Sequence, residues 1–170
     1  MLPEPGRPTP PPKTGDERTM LTTFLDYQRA VFLRKVSGLD EDGLRRVMTP
    51  SGLTLLGMLK HLAYVERGWF QVTFAGREVP FAWSEEDRDA DWRPQPHERP
   101  AGLLSFYEGE VAESRRIVDA ASLDDVAADP RAEGVTMRWI MFHMLEEYAR
   151  HLGHADLMRE GIDGKTGFEG

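Results

Sequence analysis

The chain has 170 residues and a net charge of −8, with 40% hydrophobic and 29% charged residues. This size fits one globular domain with a short tail, and the composition excludes a mostly disordered chain. The acidic balance argues against a protein that binds nucleic acid or an anionic membrane. The lack of cysteine excludes disulfides, Cys-ligated metals and a thiol nucleophile. Since the sequence shows neither a signal pattern nor an apolar run of membrane length, we expect a cytoplasmic protein.

Residues 1–15 are rich in proline, which favours extended backbone, and they are predicted to form a flexible tail before a domain over residues 16–170. Four amphipathic helices follow, because apolar residues recur there at three- and four-residue spacing. We predict them from Asp16 to Val36, from Leu53 to Phe74, from Pro100 to Ala121 and from Thr136 to Gly161. Thr136 is a suitable N-cap for the last helix, and Gly161 is a suitable residue to end it.

The segments between these helices carry breaker residues. Leu39–Gly52 is predicted to be an irregular connection. Residues 77–100 form a long polar loop, and Trp83 and Trp92 within it predict that the loop packs over the helices. Because no segment shows strand alternation, the sequence predicts an all-α, four-helix bundle with a long loop between the second and third helices.

The fourth predicted helix places ionisable residues on a face that should be buried. This face is formed by Ile140, Met144, Glu147, His151, His154 and Met158, at alternating intervals of four and three residues. Its ends are apolar and its middle is ionisable, so a buried carboxylate there needs a charged partner or a metal. His61 holds a similar position on the second predicted helix.

These residues suggest a metal site. Glu147 and His151 are one turn apart and can converge on one ion, and His61 from a facing helix would complete a His₂Glu set. Three protein ligands leave a position open, as in catalytic metal sites. A surface Glu–His ion pair and a core histidine at position 61 remain alternatives. His143 is a candidate fourth ligand, and His154 is a candidate ligand, outer-shell group or general base.

Two segments resemble the DinB-like superfamily: LTLLGMLKHLAYVERGWF and TMRWIMFHMLEEYARHLGHADLMREGIDG. With PSGLTLL, WRPQP and IDGKTG, the resemblance extends over about residues 17–167 and is closest to an actinobacterial branch called mini-circle proteins. It implies a four-helix bundle whose divalent metal is held by His61, Glu147 and His151. Most members of the superfamily use three histidines, and the glutamate is similar to that of the mycothiol-dependent maleylpyruvate isomerase metal-binding domain.

The resemblance also implies an activity, because several relatives use the metal to activate a low-molecular-weight thiol such as mycothiol. We therefore expect a metal-dependent thiol S-transferase or isomerase, with His154 and Arg150 as catalytic residues that orient the thiol. Zinc is the first expectation for the metal, and nickel, iron or manganese are alternatives. A metal-dependent hydrolase and a non-enzymatic stress protein that binds a metal or ligand are the alternative functions. The expected partners are a small-molecule substrate, the thiol and a second copy of the chain.

Overall fold

The computed structural model describes residues 1–167, which form helices joined by turns and loops. The helices are α1 (Glu17–Val36), α2 (Glu41–Arg45), α3 (Leu55–Glu66), α4 (Pro100–Ala120) and α5 (Met137–Asp163). A π-helical segment (Arg67–Phe74) continues α3, and short 3₁₀ turns lie at Ala90–Trp92 and Pro130–Ala132. Residues 1–167 contain no β-strand and only an isolated bridge between Val126 and Thr136. The all-α prediction is confirmed, and the bundle arrangement stays a prediction.

The chain forms two compact units. The first unit combines Met1–Met58 with the chain from Met141 onward, and the second unit is Leu59–Ile140. The predicted division into a tail over 1–15 and a domain over 16–170 stays a prediction, and residues 168–170 lie outside the described residues. Within the predicted tail, Leu2 is 4% exposed, and its carbonyl accepts a hydrogen bond from the N–H of Gly38.

Capping groups explain where two of the long helices begin. Asp16 accepts a hydrogen bond from the N–H of Thr19 at 2.9 Å, and this bond lowers the pKa of the Asp16 carboxyl below its ordinary value. Thr136 accepts from the N–H of Trp139 at 3.3 Å, as expected for the N-cap of α5. Helices α1, α3, α4 and α5 all begin within two residues of the predicted positions, and α1 ends at Val36 as predicted.

The short helix α2 was not predicted, because Gly43 lies within it and favours a turn. The side chain of Asp40 accepts a hydrogen bond from the N–H of Gly43 at 2.8 Å. This N-cap compensates for the glycine, so the predicted irregular connection contains one helical turn.

The last helix runs past its predicted end at Gly161 and stops at Asp163. Gly164 takes the left-handed conformation, with φ of 76°, and its N–H donates to the carbonyl of Glu160 at 2.9 Å. Arg159 pairs with Asp163 at 2.8 Å one turn later, which supports the additional turn. The position that ends the helix is therefore Gly164.

The π-helical segment replaces the α-helix predicted to reach Phe74. Arg67 and Gln71 of this segment both donate to the carboxylate of Glu110 on α4, at 2.6 and 2.5 Å. Because a π-helix holds more residues per turn, the side chains beyond Arg67 no longer follow the face that contains His61. Insertions of this kind are frequent beside functional sites.

Both units bury apolar side chains. Fully buried residues of the first unit include Leu25, Phe32, Val36, Leu44, Tyr148 and Ala155, and those of the second include Leu59, Leu62, Ala63, Phe70, Met137 and Ile140. None of the helices within residues 1–167 has an apolar stretch long enough to cross a bilayer.

Candidate metal centre

His61 is held in one orientation by two residues of the long loop. Its Nδ1 lies 2.7 Å from Oδ2 of Asp91, which is itself 6% exposed. Its ring stacks on the indole of Trp92, with centroids 3.7 Å apart and planes inclined by 16°. A carboxylate on Nδ1 selects the tautomer that carries the proton there, so Nε2 is the atom with which His61 would bind a metal.

The loop that carries these two residues is anchored next to His61 by Lys60. The Lys60 ammonium donates to the carbonyl of Arg93 at 3.2 Å and to Glu98 at 2.9 Å. Burial acts to raise the pKa of Glu98, but hydrogen bonds from the Gln95 N–H and from Lys60 hold it below its ordinary value. The carboxylate of Glu98 therefore stays ionised at neutral pH and keeps the loop attached to α3.

Glu147 and His151 lie one turn apart on α5, as the spacing predicts. Oε2 of Glu147 is 3.3 Å from Nε2 of His151, and Oε1 is 3.4 Å from Nε2 of His143. His151 is 6% exposed as a whole residue, and the Glu147 side chain is 20% exposed. The carboxylate of Glu147 therefore lies between two histidines and meets each one with a different oxygen.

The ligand atoms of His61, Glu147 and His151 all lie within 4.8 Å of one another. Two atoms bound to one zinc ion at about 2.1 Å are separated by about 3.4 Å in a tetrahedron and by at most about 4.2 Å in any geometry. The 3.3 Å between Glu147 and His151 matches the tetrahedral value. Two imidazoles and a carboxylate suit a divalent metal, so these residues fit the predicted site.

The sequence profile of the mycothiol S-transferase family matches residues 20–164. The chain belongs to the mycothiol S-transferase family. The matched range begins in α1, ends just after α5 and includes all three candidate ligands. The predicted membership of the DinB-like superfamily is thereby confirmed. No functionally curated protein sequence matches the chain.

The two residues predicted to be catalytic, Arg150 and His154, lie on the exposed side of α5 in this member of the mycothiol S-transferase family. Arg150 is 59% exposed and donates to Oε1 of Glu146 at 2.6 Å. His154 is exposed, and its ring centroid is 5.7 Å from that of His151. His154 therefore departs from the buried face that its spacing predicts, and the catalytic roles of both residues stay predictions.

Sequence reasoning missed Asp91 and the contact of Trp92 with His61. Both contacts join residues about 30 positions apart in the chain, and no local pattern reveals a pairing across a loop of this length. The sequence feature that could have indicated this contact is Trp92 itself, because a large aromatic side chain in a polar loop needs a surface on which to pack. Its neighbour Asp91 is buried with it.

Proposed function

We propose that this protein is a metal-dependent S-transferase that joins a low-molecular-weight thiol of the mycothiol type to an electrophilic small molecule. The observation that carries the proposal is the convergence of His61, Glu147 and His151 in a chain of the mycothiol S-transferase family. The absence of cysteine supports it, since the reacting sulfur must then come from a cosubstrate.

His61, Glu147 and His151 would hold the metal, and zinc is our first choice for this donor set. A divalent cation with an open position binds a thiol as its thiolate and thereby favours its deprotonation near neutral pH. The chain's own contribution is orientation: Asp91 fixes the tautomer and the ring plane of His61, and Trp92 covers one face of that ring.

In the reaction, the sulfur forms a bond to an electrophilic carbon, and the leaving group departs with the electron pair of the bond that breaks. The thiol proton passes to solvent or to a neighbouring base. We assign that base to His154, because its ring lies 5.7 Å from the ring of His151 and its exposure lets it exchange protons with water. Arg150, on the same exposed side, would orient the polar part of the thiol.

We further propose that the protein acts in the cytoplasm as a homodimer and binds small molecules rather than nucleic acid. The net charge of −8 supports the last point, because phosphate backbones repel an acidic surface. The dimer rests on the resemblance to the DinB-like superfamily, and sedimentation of the untagged protein would test it.

The decisive experiment is a reconstitution assay with untagged protein. The protein is stripped with a chelator, reloaded with zinc, and mixed with mycothiol and 1-chloro-2,4-dinitrobenzene, whose thioether product is followed by absorbance. We expect turnover above the uncatalysed rate only when metal and mycothiol are both present. Chloride is released in step with the thioether formed.

A variant pair locates the activity. Loss of a residue that only contacts a metal ligand lowers activity by about 10–100-fold, and His151→Ala should lower turnover by more than this. His97 is an exposed loop histidine, so His97→Ala should leave turnover unchanged. Equal turnover by the stripped protein would overturn the metal requirement. Product formation without added thiol would replace the transferase with the hydrolase alternative, and no turnover in any mixture would leave the non-enzymatic function.

A further inference from the structure

The second unit contains a cavity of about 910 Å³, a volume within the range of drug-sized ligand sites. The π-helical segment forms one wall, and residues 76–83 and 128–131 form others. His61 and Asp91 also line it, so the candidate metal ligand of the second unit faces the cavity. The S-transferase reaction needs a site that binds the electrophile as well as a site for the thiol.

Aromatic rings supply much of the cavity surface. Tyr64, Trp69, Phe81 and Trp83 all line it. The rings of Phe81 and Trp83 lie 5.2 Å apart, and those of Tyr64 and Phe81 lie 5.8 Å apart. A Cβ at Gly68 would lie 3.3 Å from Phe81, so the glycine leaves room for that ring against the π-helical segment. The planes of these two ring pairs are inclined by 51° and 33°. Because aromatic rings attract one another in tilted as well as in stacked arrangements, this surface suits a flat, aromatic ligand.

The two arginines of the lining are each paired with a carboxylate. Arg77 lies 2.6 Å from Glu113, and Arg131 donates to both oxygens of Asp129, which lowers the pKa of Asp129. Burial raises the pKa of Tyr64, so its phenol is neutral at physiological pH. The lining contains three carboxylates, those of Glu78, Asp91 and Asp129, against two arginines, so its charge balance disfavours an anionic ligand.

We infer that this cavity binds the electrophilic substrate, and that the substrate is a neutral, flat, apolar molecule rather than an anion. That the bound molecule is a substrate rests on the proposed function, but its binding requires neither metal nor thiol. Trp83, which is 48% exposed at the cavity wall, contributes a ring face to the ligand.

Two fluorescent probes with the same fused-ring and phenyl groups separate the two ligand classes. N-phenyl-1-naphthylamine is neutral, and 8-anilino-1-naphthalenesulfonate carries one negative charge. We expect the stripped protein to bind the neutral probe at least about tenfold more tightly than the anionic one. That ratio corresponds to about 1.4 kcal/mol. The substrate analogue 1-chloro-2,4-dinitrobenzene should displace the neutral probe.

A matched variant pair identifies the site. Trp83→Ala should weaken neutral-probe binding by about fivefold or more, in keeping with the loss of one aromatic contact. Phe142→Ala, also an exposed aromatic residue at 54% but outside the cavity lining, should leave it unchanged. Because Trp83 is half exposed, its removal should not prevent folding, and circular dichroism checks this.

The inference is overturned if the anionic probe binds as tightly as the neutral one, or if Trp83→Ala binds the neutral probe like the unmodified protein. It is also overturned if both variants weaken binding equally. Failure of the proposed function gives a different result: the neutral probe still binds, and 1-chloro-2,4-dinitrobenzene still displaces it, while no thioether forms.

Discussion

Helix α5 carries two clusters of ionisable side chains at low exposure, and they differ in where their polar atoms are directed. In the Arg159 cluster, the guanidinium of Arg159 is 1% exposed and donates to the carbonyls of Lys35 and Ser37 at 2.9 and 2.6 Å and to Asp163. In the other cluster, Oε2 of Glu147 lies 3.3 Å from Nε2 of His151, and both residues are candidate metal ligands.

This difference separates a structural cluster from a ligand-binding one. Arg159 donates to acceptors that belong to the chain, and its Nη1 alone contacts three backbone carbonyls at or near the end of α1. Glu147 and His151 instead offer, with His61, two imidazoles and a carboxylate, a donor set that suits a divalent cation. We therefore expect substitutions in the two clusters to change different properties.

The largest effect is expected on stability, at Arg159. Arg159→Met keeps much of the side-chain volume but leaves buried carbonyls without their donor, and should lower the free energy of unfolding by about 3–5 kcal/mol. Urea denaturation of the stripped protein measures this value. The folded fraction should still bind one zinc ion per chain with unchanged affinity, and loss of zinc binding from folded protein would contradict the separation of the two clusters.

The reverse pattern is expected at His151. His151→Ala should weaken zinc binding by more than about 100-fold, or about 2.7 kcal/mol, and should change the unfolding free energy of the stripped protein less than Arg159→Met does. Competition with a chromogenic chelator measures the zinc affinity. His154→Ala, three residues further along, is the control and should retain the affinity. If the two alanine variants bind zinc equally well, His151 is not a ligand.

The sequence was sufficient to predict the four longer helices, α1, α3, α4 and α5, because capping residues and apolar spacing are local. Asp16 and Thr136 cap the helices at the predicted positions. The failures occurred where specific side-chain contacts overrode the signal from apolar spacing and glycine. Arg159 and Asp163 extend α5 past Gly161, and the contacts of Arg67 and Gln71 with Glu110 accompany a π-helical segment that the apolar spacing alone does not indicate.

The candidate metal ligands could be predicted for a related reason. Glu147 and His151 share one helix, so their spacing predicts that they meet. The position of His61 on the second predicted helix added the third ligand, and the family resemblance supported it. Asp91 and Trp92 could not be predicted, since their contact with His61 depends on the path of the loop over residues 77–100. A loop of that length can adopt many conformations. The ion pair of Lys60 with Glu98 holds it in the observed conformation, and this pair is itself a long-range contact.

Asp91 therefore provides a test of how much the missed contact matters. Asp91→Asn preserves the shape of the side chain but removes the charge that selects the tautomer of His61, and should weaken zinc binding by about 10–100-fold. The same chelator competition measures it, with Asp89→Asn as the exposed control two residues earlier. A zinc affinity equal to that of the control would show that Asp91 merely packs beside His61.

The smallest expected effect is on the pH dependence of stability at Asp163. It tests whether the Arg159 cluster is purely structural. Burial acts to raise the pKa of Asp163, but the hydrogen bonds from Arg159 and the Lys165 N–H lower it below its ordinary value. Because the folded pKa is depressed, this group contributes stability above its unfolded pKa of about 3.9, and that contribution is lost as the pH falls through the folded value.

Because Asp163 is exposed to solvent as a whole residue, its ion pair is screened, and Asp163→Asn should lower the unfolding free energy at pH 7 by only about 0.3–1 kcal/mol. The difference from the unmodified protein should shrink as the pH falls below about 4. Urea denaturation of stripped protein at several pH values measures this convergence, with Asp119→Asn on the exposed side of α4 as the control. A difference that stays constant down to acid pH would mean that the ionised carboxylate does not contribute through Arg159. The stability of the end of α5 would then rest on packing alone.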